Sequence, residues 1–153
     1  MNETAGWAGF TRGDCLRLLG GNGFGRVVFT SAAMPAVLPT SYVLDGDIAL
    51  FRLPRAGPLS AAIRNSVVGF QADGIDPGTH AGWSVLGVGQ AVELADDDRR
   101  AVLAEGRLGP YPDVGTSIFA VPLRQLTGQW TSLAGAITVS AGVGPEPIER
   151  TTP

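Results

Sequence analysis

Two arginines bracket a short loop in the run Phe51-Arg52-Leu53-Pro54-Arg55, and Gly57-Pro58 follows directly. Pro58 suits the first turn of a helix, where a missing N–H does no harm, so Leu59 to Arg64 reads as a short helix. Two guanidinium groups beside free helical N–H groups would make a site for an anion. The plainer reading is two solvated charges, one at a strand end and one in a loop. Arg26 raises a similar question, because it interrupts an apolar strand and a buried arginine needs a partner. It either contacts a phosphate or pairs with a carboxylate. His80, the one histidine, lies between Gly78 and Gly82, and Tyr42 is a second side chain able to give up a proton. Both are candidate general acids, although a lone histidine in a glycine-rich loop is ordinarily just exposed.

Other chemistries are missing. No cysteine and histidine cluster has metal-ligand spacing, so no metal is expected. No Gly-x-Ser-x-Gly elbow occurs. Gly20 to Gly25 precedes a strand, the reverse of the strand–loop–helix order of a phosphate-cradling loop. The chain has no lysine, so no side-chain amine is present to form a Schiff base. Its arginines are scattered and the net charge is −3, which argues against nucleic acid as a partner. Cys15 is the one cysteine and cannot make an internal disulfide; it reads as a small core residue, and the expected location is the cytoplasm. No stretch approaches the roughly 20 apolar residues of a membrane span.

The elements that must position these side chains are short. With 22 glycines and 11 prolines in 153 residues, strands and tight turns are favoured over long helices. Asp14 is the expected N-cap of a helix carrying Cys15, Leu16, Leu18 and Leu19. Gly25 to Thr30 reads as a strand, and Pro35 to Leu44 returns it, at an edge or with a bulge because Pro39 lacks a donor. Asp45-Gly46 is the strongest hairpin signal, leading into Ile48 to Phe51. Ser66 to Ala72 gives a fourth strand, Asp73 to Ala81 a loop, and Trp83 to Leu94 a long fifth strand bent at Gly87 and Gly89. Asp96 to Glu105 reads as a helix, and Ser117 to Trp130 as one strand interrupted at Pro122. The expected fold is therefore mainly β. About six antiparallel strands form a closed or nearly closed barrel with two or three short helices. Residues 1–13 are expected as an arm, 14–133 as the domain and 134–153 as a mobile tail.

The order of these segments carries a resemblance. Gly25-Arg26-Val27-Val28-Phe29-Thr30, Pro35-Ala36-Val37-Leu38-Pro39, Leu44-Asp45-Gly46-Asp47-Ile48, Phe51-Arg52 and Gly82-Trp83-Ser84-Val85-Leu86-Gly87-Val88-Gly89 together resemble the pyridoxamine 5′-phosphate oxidase-like split-barrel flavoproteins. The similarity runs from about Asp14 to Trp130. It implies a split β-barrel, a homodimer, and flavin mononucleotide (FMN) in clefts at the dimer interface, with a deazaflavin coenzyme or no cofactor as alternatives. The cofactor-binding residues it implies are Arg26, Val27, Ser41, Phe51, Arg52, Leu53, Arg55, Trp83 and Ser84. Trp83 would stack near the flavin ring or else pack in the core or dimer interface. Relatives commonly have a hydroxyl residue after the arginine and a lysine at the helix start; this chain has Leu53 and Pro58 there, and Arg55 is the candidate replacement cation.

The activity so implied is a flavin-dependent oxidoreductase acting on a small organic molecule, in which the ring carries the chemistry and the protein supplies orientation. Two alternatives stand beside it. One is a flavin-free split-barrel enzyme using Tyr42, His80 or Arg52, and the other is a non-enzymatic ligand-binding module.

Overall fold

The computed structural model describes residues 9–110 and 114–132. The expected tail 134–153 and residues 1–8 of the expected arm lie outside the described residues. The described chain is mainly β, in the order α1 (Arg12–Gly20), β1 (Phe24–Ser31), β2 (Met34–Ser41), β3 (Val43–Asp45), β4 (Ile48–Pro54), α2 (Pro58–Ile63), β5 (Val67–Asp76), β6 (Ala81–Gln90), β7 (Val92–Glu93), α3 (Asp96–Ala104), β8 (Thr116–Pro122) and β9 (Gln125–Ser132). The strands form two antiparallel sheets, β2-β1-β5-β6-β9 and β3-β4-β8-β7. The result is a split barrel and not a closed one, with nine strands among the described residues where about six were expected.

The three extra strands come from corners, the first where Pro35 to Leu44 divides into β2 and β3 in different sheets. Trp83 to Leu94 is not one strand: β6 ends at Gln90, and β7 pairs with β8 in the other sheet. Ser117 to Trp130 likewise divides, β8 pairing with β4 and β9 with β6. Pro122 ends β8 because the chain changes sheets there. At that corner β6 passes so close that a Cβ on Gly89 would lie 1.8 Å from the Pro122 carbonyl oxygen. Asp73 to Ala81 is largely strand, with β5 and β6 pairing out to Asp76 and Ala81. The Asp76 carboxylate closes that hairpin by accepting the amides of Gly78 at 2.7 Å and Thr79 at 3.0 Å.

Two local readings need adjustment and a third holds. Thr11, not Asp14, caps α1: its hydroxyl accepts the Asp14 amide, and the Asp14 carboxylate accepts the Thr11 amide in return. That Thr11 amide, followed by the Thr11 hydroxyl, holds the Asp14 carboxyl below its ordinary value. In the β3–β4 hairpin Asp45 pairs with Ile48, so the turn residues are Gly46 and Asp47, with glycine at φ +60° in the first position. Finally, β2 does lie at a sheet edge, where Pro35 and Pro39 are tolerated.

The main core fills the space between the sheets. Phe51 is stacked between Phe70 and Phe119, each at 6.2 Å, and Tyr42 meets Phe70 edge-on at 4.7 Å. Ala49, Phe51 and Leu53 point into this core, while Leu50 joins Ile118, Ala120 and Leu108 in a smaller cluster beneath α3. Burial of β4 on both faces explains its nearly unbroken apolar run.

Candidate functional site

Arg52 continues the β4 face that carries Leu50, at the point where the apolar residues give out. Its Nη2 donates to the Gly109 carbonyl at 3.0 Å, which ties the strand to the turn after α3. Beside it the sheets part. A cavity of about 440 Å³ opens between the end of β2 and the ends of β4 and β8, lined by Thr40, Ser41, Arg52, Leu53, Pro54, Val114 and Thr116. This volume is in the range of small-molecule sites. The lining combines apolar walls, three hydroxyl residues and one guanidinium, a set suited to an anionic ligand with a flat apolar body. Leu53 is 2% exposed, so its side chain serves the core and the cavity at once.

A second, smaller cavity of about 200 Å³ lies on the outer side of the five-stranded sheet, lined by Asn22, Phe24, Gly25, Arg26, Pro39 and Asp73. Arg26 is not buried. Its Nη1 donates to Gln71 Oε1 at 2.9 Å and lies 3.5 Å from an Asp73 carboxylate oxygen. Gln71 continues the chain by donating to Ser84 at 3.2 Å. Cross-strand register creates this network, because Arg26 faces Gln71 and Asp73 faces Ser84.

The structure therefore brings Ser41, Arg52 and Leu53 to one cavity and Arg26 to the other, with Ser84 joined to Arg26 through Gln71. The remaining sequence candidates lie elsewhere. Val27 and Phe51 are fully buried in the main core. Trp83 packs against that core with its indole over Gly74. Tyr42 is buried and its hydroxyl donates to the Leu19 carbonyl at 2.7 Å; burial pushes the phenol up to about 12. His80 sits in the β5–β6 turn at φ 55°.

Arg55 does not line either cavity. It is exposed, and its charge falls near Glu93, whose carboxylate accepts Ser117 Oγ and, at 2.8 Å, Arg64 Nε. The Ser117 hydroxyl, then Arg64 and Arg55, hold the Glu93 carboxyl below its ordinary value. Arg64 also lies over the Phe119 ring at 5.8 Å. Burial, with Asp14 next to it, pushes the Cys15 thiol up.

Sequence reasoning missed Thr40, Val114 and Thr116 at the larger cavity and Asn22, Phe24 and Asp73 at the smaller. They share no local pattern, and only the pairing of distant strand ends brings them together. Phe24 alone carried a signal, as a large apolar residue out of phase with the buried positions of β1. Among the described residues no group of three or more histidine, cysteine, aspartate or glutamate side chains could hold a metal ion. No helix among them is long and apolar enough to cross a membrane.

Comparison with known proteins agrees with the architecture. The family model described as pyridoxamine 5′-phosphate oxidase matches residues 11–130. An uncharacterized protein of Mycobacterium tuberculosis, Rv0080, is 40% identical over 96 residues, covering 59% of this chain and 62% of its own length. The chain thus spans under two thirds of that relative. Among solved structures, the FAD binding protein from Mycobacterium smegmatis matches with a TM-score of 0.70 and 28% identity, over 80% of this chain and 98% of its own. A FAD-binding protein from Mesorhizobium loti matches with a TM-score of 0.67 and 22% identity, over 82% of this chain and 99% of its own, a likeness of fold.

Proposed function

The chain belongs to the pyridoxamine 5′-phosphate oxidase family, and on that premise we propose that it binds a flavin nucleotide beside Arg52 and acts as a flavin-dependent oxidoreductase on a small organic molecule. The observation that carries the reading is the 440 Å³ cavity with one guanidinium at an otherwise largely apolar wall. A flavin has the matching parts, a flat ring system and an anionic tail. The FAD-binding relative at 28% identity supports the same ligand class.

Arg52 would hold the anionic part, and Thr40, Ser41 and Thr116 offer hydroxyl groups for polar edges. Leu53, Pro54 and Val114 would cover the ring and keep water from it. Bound there, a flavin supplies hydride or electron transfer, which is why the chain needs no nucleophile or acid–base pair of its own.

The reading includes a homodimer. Rows of the five-stranded sheet turn Val28, Val37, Val67, Leu86 and Val88 outward, and Val37 and Val67 are 56% and 70% exposed. Leu86 and Val28 close over Gly69 in the middle of that face. An apolar surface of this kind favours a partner, here a second copy. The smaller cavity, lined by Arg26 and Pro39, shares that face.

Purified protein is expected to carry flavin absorbance, or to quench added flavin fluorescence at micromolar concentration. Arg52→Ala should weaken binding about tenfold or more, since a charge-assisted bond contributes about 1.5–3 kcal/mol. Colourless protein that leaves FMN, FAD and a deazaflavin coenzyme all unbound would defeat the reading. Light scattering should give twice the chain mass, and Val37→Asp should halve it; a wild-type monomer refutes the dimer.

A further inference from the structure

Along β1 the side chains of Val27 and Phe29 are buried while Phe24, Arg26 and Val28 point outward. Phe24 therefore shares the sheet face of the outward valines, four residues or about 13 Å along the strand from Val28. Its ring is 74% exposed and stands at the smaller cavity. A phenyl ring so far out of the core favours a contact that covers it.

We propose that the smaller cavity is a socket for a second copy of this chain, with Phe24 of each protomer seated in the cavity of the other. The proposal rests on the dimer reading above and fixes its register. An isologous contact sets one patch against itself across a two-fold axis, so the patch must carry both members of each complementary pair. This patch does. It has a projecting ring, Phe24, beside a hollow of about 200 Å³ walled in part by Gly25 and Pro39. A hollow of about 150 Å³ already takes up benzene, so a phenyl ring has room. It also has a cation, Arg26, and an anion, Asp73, 3.5 Å apart. A patch with one charge of each sign meets its own copy without like-charge repulsion, and turning it about the axis brings unlike charges together. Arg26 is held besides by Gln71 at 2.9 Å, and Gln71 by Ser84, so the guanidinium keeps a hydrogen-bond partner when the second copy excludes water. The two cavities then have different occupants. The larger takes the small molecule, and the smaller, with under half its volume, takes a side chain. Arg26 becomes an interface residue and not a phosphate contact.

Analytical ultracentrifugation of the full chain tests the socket. Phe24→Ala should weaken dimerisation at least about thirtyfold, the loss typical of a central aromatic anchor. Because Phe24 is exposed within the protomer, its circular dichroism should not change. Cross-linking reads the register directly. Chains carrying Phe24→Cys, co-expressed with chains carrying Pro39→Cys, should form a disulfide-linked heterodimer on mild oxidation. Chains with Asp97→Cys, on exposed α3, should not form one with Phe24→Cys chains. Cys15 is fully buried and needs no replacement. A wild-type dimer that Phe24→Ala leaves intact, or in which the paired cysteines stay free, overturns the socket and keeps the dimer. A wild-type chain that stays monomeric removes the dimer reading itself, and the socket with it.

Discussion

Replacing Tyr42 by phenylalanine separates a proton donor from a structural phenol. The ring stays against Phe70, so the change removes the hydroxyl and its 2.7 Å bond to the Leu19 carbonyl and little else. That carbonyl keeps a second donor, the Asn22 amide at 3.2 Å, so it is not left orphaned. The cost at neutral pH should then sit at the low end of the range for a lost buried hydrogen bond, about 1 kcal/mol, or about 2–4 °C in Tm. At alkaline pH the sign changes. Burial raises the phenol from its ordinary 10.0 to about 12, so the folded state holds a proton that the unfolded chain releases. This contribution is fully present below the unfolded value and is lost as pH rises through the folded one. Wild type should therefore lose about 1.4 kcal/mol per pH unit in that window, a slope that Tyr42→Phe lacks. The two stabilities should cross near about pH 11. Urea midpoints from neutral to alkaline pH measure this, with flavin titrations alongside. A constant offset at every pH would refute the buried phenol. An unchanged stability with lost turnover would restore Tyr42 as a catalytic acid.

Other expectations follow from single contacts. Gly89→Ala places a Cβ 1.8 Å from the Pro122 carbonyl oxygen and must displace backbone; a loss of at least about 3 kcal/mol is expected in chemical denaturation. The β1–β2 hairpin turns on Ala32 and Ala33 at φ 49° and 61°, a conformation that asparagine and glycine adopt more readily. Ala32→Asn with Ala33→Gly should raise stability by about 1 kcal/mol, measured as an increase in urea midpoint. Glu93 is bound by Ser117 and Arg64 with its pKa lowered from 4.5, so its contribution is present above that value and lost as pH falls through the folded one. Glu93→Gln should flatten acid denaturation over that window, and an unchanged acid limb would show the cluster to be unimportant.

Much of the fold was legible because the strands announce themselves locally. Val27 and Phe29 alternate with exposed neighbours along β1, and Pro39 pointed correctly to an edge. The corners were not legible. Nothing in Gln90-Ala91-Val92 or at Pro122 says that the chain leaves one sheet for the other, since that depends on which distant strands are waiting there. The α1 cap was readable and misread, as Thr11-x-x-Asp14 is itself the signature of a reciprocal cap. The site divides in the same way. Arg52 stood out as a charge closing an apolar strand, whereas Thr40 and Thr116 have no pattern that distinguishes them from any strand-end hydroxyl. Arg55 looked equivalent to Arg52 in sequence, yet one lines the cavity and the other lies near Glu93.

That contrast decides what kind of cation the larger cavity has. Side chains alternate along β4, so Ala49, Phe51 and Leu53 face the main core while Ile48, Leu50 and Arg52 face the other way. Arginine is tolerated on the second face only where the small cluster beneath α3 ends, and this is where the sheets part. Its guanidinium is already fixed by the Gly109 carbonyl before any ligand arrives. A planar fork already engaged by the protein loses less freedom on meeting an anion than a mobile side chain does. Charge alone should therefore not replace it. Arg52→Lys is expected to lose flavin affinity to within about threefold of Arg52→Ala, because lysine puts a compact, strongly hydrated ammonium on a flexible stem in place of a planar fork of paired donors. Calorimetric titration of the three proteins tests the point, and a lysine variant that binds flavin as tightly as wild type would show the tether to Gly109 to be irrelevant.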